Sequence, residues 1–275
     1  MALSGGMPGS VSALLAEQES CYMDFAEALK RIVTSKTFDK ESFKNRPLNI
    51  SEAYVLLWQN MTSGSIDGKS NMNLRVGAFA AVLVDLLVRD KVEIVNDVTH
   101  LGSDQNQKYI VKVLDTKPTG TYLDNAGFSK ILAYQKANSS GPRLLETWLE
   151  EGREDAVTPT LKNLIERKIL GDVHTGLFGT LHKYPTKDAS FETALDAEMK
   201  QVSLKECKPD SFMLSLLTLS RTADNLFTFV DPILRKHFTK DEYKVAKENI
   251  KVIVQSQGEV LRSPKLDRKK LKILR

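Results

Sequence analysis

Cysteine is nearly absent from this 275-residue chain: Cys21 and Cys207 stand far apart and build no disulfide framework. A reduced, cytosolic setting is therefore expected. Also missing is any apolar run of the ~18 residues needed to span a bilayer. The longest candidate, Val76 to Val88, is cut by Asp85 and closed by Arg89, Asp90 and Lys91. The opening residues lack the basic stretch and long apolar core of an export signal, and Ala2 stands where myristoylation requires glycine. Sequons at Asn49, Asn60 and Asn138 consequently read as chance matches. Catalytic signatures are missing as well: the chain holds no HExxH, paired CxxC, Walker loop, GxGxxG or GxSxG. Its histidines, His100, His174, His182 and His237, are dispersed. His174 and His182 share a predicted hairpin, but no cysteine or carboxylate cluster is expected beside them, so no metal site is expected. The acidic pairs Glu150-Glu151 and Glu154-Asp155 read as solvated charge rather than acid/base machinery. No catalytic group and no cofactor is expected, and the chain is not expected to be an enzyme.

Positive charge is scarce in the body of the chain. The net charge is +4, yet residues 262–275 alone hold seven basic side chains and one acidic one, a net of +6. The other 261 residues hold 32 basic and 34 acidic side chains, a net of −2. A body of that sign argues against a general nucleic-acid binder. The tail could attract an anionic bilayer, each Lys or Arg adding roughly 1 kcal/mol, or remain a solvated terminus.

What is present is helical periodicity, with 41% hydrophobic residues to fill a core. Residues 1–47 read as a flexible N-terminal segment with one amphipathic helix between Ser12 and Val33. LNISEAYVLLWQN follows as a helix with Ser51 as its cap. After a turn-rich stretch, Asn71 or Asn73 caps a helix that is apolar almost all round and is expected at the centre of a domain. Arg75 stands at its mouth, available to a neighbouring carboxylate such as Asp67 or to an anionic ligand. KVEIV (91–95) and KYIVKVLD (108–115) read as an antiparallel hairpin. Helices are predicted over Tyr122 to Ala137, over GPRLLETWLEEG, and over TPTLKNLIERKIL with Thr158 as cap and Pro159 at the first helical position. GDVHTGLFGTLHKYP, broken by Gly171, Gly176 and Gly179, gives a second hairpin with Leu177 and Phe178 near its reversal. Further amphipathic helices complete a mainly α fold: a helical bundle around the central apolar helix, with two β-hairpins, one protruding. Cys21, Trp58 and the methionines read as packing residues.

The order of these segments resembles the Golgi phosphoprotein 3 family. LNISEAYVLLWQN, NLRVGAFAAVLVDLLVRDKVEIV, DTKPTG followed by Leu123 and Asp124, KNLIERKIL before a hairpin carrying Leu177-Phe178, and LSRTADNL occur in the family's sequence order. The resemblance implies a family domain over residues 48–261, followed by the basic C-terminal tail 262–275. It also implies a peripheral protein of the cytosolic face of Golgi membranes that recognises phosphatidylinositol 4-phosphate. Coatomer and the cytosolic tails of glycosyltransferases are the implied protein partners. Arg75 matches the family arginine that binds the lipid phosphate. This sequence departs from the family pattern in three places: Ile66 replaces a tryptophan, and Glu154 and Val157 stand where two further arginines are expected. Lys69, Arg143 and Arg153 are the candidates to take the place of those arginines. Leu177 and Phe178 are expected to enter the acyl boundary, contributing roughly 3 to 5 kcal/mol if both are buried. Two other readings remain open: a winged-helix-like nucleic-acid binder built on TPTLKNLIERKIL and its hairpin, or an interaction scaffold that has lost the lipid.

Overall fold

A run of seventeen residues with one acidic side chain and one arginine has no polar face to offer water, so it must be enclosed. In the computed structural model, which describes residues 9–66, 71–97, 108–137, 143–175, 181–225 and 233–259, that run is helix α4 (Met72–Val88). Fifteen of its residues are buried. Around it pack α1 (Gly9–Thr34), α3 (Ile50–Leu57), α6 (Leu145–Gly152), α7 (Val157–Glu166) and α9 (Ser211–Asn225). The remaining helices are α2 (Glu41–Lys44), α5 (Phe128–Ala137), α8 (Ser190–Ser203) and α10 (Lys240–Glu259). The architecture is mainly α, with two antiparallel two-stranded hairpins: β1 (Val92–Asn96) with β2 (Tyr109–Val113), and β3 (Val173–Thr175) with β4 (Leu181–Lys183). The N-terminal helix is part of the same core, since Phe25, Leu29 and Ile32 of α1 are buried in it.

Close packing around α4 depends on missing side chains. A Cβ at Gly77 would lie 2.0 Å from the Tyr54 hydroxyl oxygen, and one at Gly152 would lie 2.2 Å from the Phe79 ring. Those two glycines let Tyr54 of α3 and the end of α6 lie directly against the central helix.

Several local expectations change. Ser51 does not cap α3; Asn49 does, in a capping box in which Glu52 accepts from the Asn49 backbone N–H at 2.7 Å. Ser51 is instead held by Asp85, which accepts from its amide at 3.0 Å, from its hydroxyl at 2.5 Å and from the Ile50 amide at 2.9 Å. Asn71 caps α4, its side chain accepting from the Asn73 amide at 2.8 Å. α7 begins one residue before Thr158, at buried Val157 after buried Ala156, so packing rather than a capping hydroxyl sets its start. The helix expected from Tyr122 is split into a short 3-10 turn, Tyr122–Asp124, and α5. Asp124 closes the preceding loop by accepting from the Thr119 and Gly120 amides at 2.8 and 2.9 Å.

Candidate functional site

The start of α4 faces α1 and the end of α6, and Arg75 reaches out there from the first turn. Its guanidinium forms an ion pair with Glu154, whose Oε1 also accepts from Arg153 Nε at 3.3 Å. Arg153 in turn donates to the Tyr22 hydroxyl at 2.5 Å and to the Glu150 carbonyl at 2.9 Å, and lies 5.6 Å from the Tyr22 ring centre. Two guanidiniums, one phenol and one carboxylate therefore meet at this mouth. Arg75 Nε is buried without a hydrogen-bond partner. Burial, followed by the repulsion of Arg153, lowers the Arg75 pKa, with Tyr22 acting in the opposite sense. The group stays charged throughout the physiological range. Glu154 is the most accessible member, its side chain 57% exposed against 24% for Arg75.

Behind this mouth the chemistry is inert. Asn73 donates to the Ala223 carbonyl at 3.0 Å, and Tyr54 donates to the Asn73 carbonyl at 2.9 Å. The Cys21 thiol lies 3.6 Å from Asn73 Oδ1, and burial pushes its pKa up to about 12, so it packs rather than reacts. Ile66, at the position expected for a tryptophan, is buried and bridged to Gln59.

The structure brings Arg75 and Arg153 together but holds Arg143 in a different set of partners. Arg143 is paired with Glu151 and stacked at 4.1 Å over Tyr134 and 5.3 Å over Trp148. Lys69 lies outside the described residues, as do Asp67, Leu177, Phe178 and the tail 262–275. The partner of Arg75 is Glu154, distant in sequence; neither that pair nor the role of Tyr22 is visible to local pattern reading.

A second basic recess lies at the other end of α4, which a helix of this length puts about 25 Å away. It is a cleft of about 560 Å³ lined in part by Lys44, Arg46, Arg89 and Lys91. Three of those cations already have carboxylates: Lys44 with Glu41, Arg46 with Glu198 and Asp210, and Lys91 with Asp115. Arg89 donates to Asn49 Oδ1 at 3.2 Å. Two side chains at the C-terminal end of α7 are also engaged. Asn163 and Arg167 donate to buried Glu52 at 2.7 and 2.5 Å, which ties α7 to α3 and withdraws both from any role as nucleic-acid readers.

On the second hairpin the expectation of isolated histidines is corrected. Asp172 comes up beside both, its oxygens 3.6 Å from His174 Nε2 and 3.3 Å from His182 Nδ1. The signal was legible, because residues two apart in a strand share a face and His182 falls opposite His174 across the reversal.

The described residues thus form a mainly helical domain that gathers two guanidiniums and a carboxylate at the start of its central helix. The Golgi phosphoprotein 3 (GPP34) family matches residues 50–263, so the chain belongs to that family of Golgi-associated adaptors. No curated protein matches it. No described helix is long and apolar enough to cross a membrane.

Proposed function

We propose that this chain is a peripheral membrane adaptor that binds phosphatidylinositol 4-phosphate on the cytosolic face of Golgi membranes, acting by binding and not by catalysis. Retention of glycosyltransferases through their cytosolic tails, and vesicle traffic with coatomer, are the roles proposed for it. The observation that carries this reading is the meeting of Arg75 and Arg153 around a single carboxylate oxygen, with Arg75 Nε still unpartnered. A phosphate monoester offers several anionic oxygens, and it enters by displacing Glu154. The pair is half-buried on the Arg75 side, but its carboxylate is open to water, so Glu154 can leave into solvent while the guanidinium keeps its place. A phosphate that reaches both guanidiniums makes bidentate charge-assisted contacts, which are stronger than a single carboxylate contact. The exchange trades one carboxylate contact for several contacts to phosphate oxygens. Leu177 and Phe178 supply the proposed apolar contact with the bilayer.

Co-sedimentation with liposomes of matched charge, with and without phosphatidylinositol 4-phosphate, tests this reading. Arg75→Ala should weaken the lipid-dependent binding about tenfold, the equivalent of ~1.4 kcal/mol. Glu154→Gln should strengthen it several-fold by removing the resident competitor. Arg89→Ala, at the far cleft, should change nothing. The reading fails if neither the native chain nor Glu154→Gln distinguishes the two kinds of liposome.

A further inference from the structure

We infer that Asp172, His174 and His182 form a binding site for a divalent late transition-metal cation at the root of the second hairpin. His174 and His182 are direct cross-strand partners, and their ring centres stand 4.2 Å apart. One donor atom from each of the three side chains falls within 4.8 Å of the others. A zinc ion held at about 2.1 Å from its ligands sets those ligands roughly 3.0 to 3.5 Å apart. The two Asp–His separations, 3.3 and 3.6 Å, are already close to that range. The two histidines meet different oxygens of Asp172, and all three side chains are exposed, so small rotations bring one donor from each onto a common ion.

The frame beneath the three ligands is fixed. Next to the site, Gly171 donates to the Pro185 carbonyl at 2.7 Å, and Tyr184 donates to the Gly64 carbonyl at 2.5 Å. The Tyr184 side chain is buried, and its ring lies nearly parallel to that of His182, 6.3 Å away. The Gly171 bond closes the base of the hairpin and the Tyr184 bond ties its β4 arm to the turn after α3, so little ordering is needed to bind an ion. Two imidazoles and one carboxylate select zinc, nickel or copper over magnesium and calcium, which require oxygen-rich shells. Three protein ligands leave positions open for water or an external donor, and a bound ion would pin β3 to β4.

The test uses the untagged full chain, stripped of metal and carrying Cys207→Ser, because the exposed Cys207 thiol is a competing ligand. Zinc is titrated in competition with a chromophoric chelator, and folding of each variant is checked by circular dichroism. One equivalent should bind, with affinity at least tenfold lower in His174→Asn and in His182→Asn, and at least tenfold lower for magnesium in the native site. Zinc should also slow amide exchange in Val173–Thr175 and Leu181–Lys183, and should fail to do so in His182→Asn. Unchanged zinc affinity in both histidine variants, or no zinc binding by the native chain, overturns the inference.

Discussion

Asp85 shows how a single side chain can serve packing and still respond to solvent. It is sealed in the middle of the fold, accepts three hydrogen bonds from the start of α3, and is pushed up to about 7, chiefly by burial. Ser51 and Ile50 oppose that rise by bonding to the charged form, and the charge of Glu52 adds to it. The ordinary value for this group is 3.8, so the folded chain retains a proton that the unfolded chain has released. Its stabilising contribution is therefore complete below about pH 4 and is lost as pH rises through about 7. Asp224, also pushed up to about 7 by burial, acts in the same direction. Urea denaturation should accordingly give a lower midpoint at pH 8 than at pH 5. Asp85→Asn should remove part of that slope and leave the part due to Asp224; an unchanged slope would show that Asp85 is ionised throughout. Glu52 shows the other way to bury a carboxylate. It keeps its place through Arg167, Asn163 and the Asn49 amide, all three donating to it.

At the scale of elements, α4 was legible because hydrophobicity on every face excludes a surface position, and Asn71 announced its start. The first hairpin was legible from two β-branched runs separated by a polar segment, the second from the glycines that break GDVHTGLFGTLHKYP into two short strands. The errors lay at helix starts. Asn49-x-x-Glu52 is itself a capping-box pattern, but Ser51 competes with it in the sequence, and only the position of Asp85 decides between them. The glycines of the bundle show the same limit, since a helix-interior glycine reads as a weakness of about 1 kcal/mol relative to alanine. At Gly77 the sign reverses. Tyr54 fills the space a methyl group would need and is held there by its bond to the Asn73 carbonyl. Gly77→Ala should lower stability by roughly 1 to 3 kcal/mol, the usual cost of overfilling a packed core. Chemical denaturation measures this, and a neutral or stabilising result would mean that Tyr54 moves aside cheaply.

For the whole molecule, the separation of charge between body and tail predicts a division of labour. Residues 262–275 carry a net of +6 against −2 elsewhere. Their deletion should reduce binding to phosphatidylserine vesicles at low salt, with the loss shrinking as salt screens the tail over a Debye length of about 8 to 10 Å. The ratio of binding with and without phosphatidylinositol 4-phosphate should be nearly unaffected in the same assay, because Arg75 and Arg153 lie in the body. The site itself was only half legible. Arg75 could be singled out from its place at the mouth of an apolar helix, and Arg153 and Glu154 from the family register, whereas Tyr22 of α1 and the way these groups pair could not. The short connection after α6 has a further effect. Glu154 is fastened beside Arg75 by the folded chain, so it competes for that guanidinium whatever the ligand concentration. On the proposed reading, scarce free anions lose that competition, whereas headgroups crowded into a membrane surface win it, and binding should rise steeply with the surface density of the lipid.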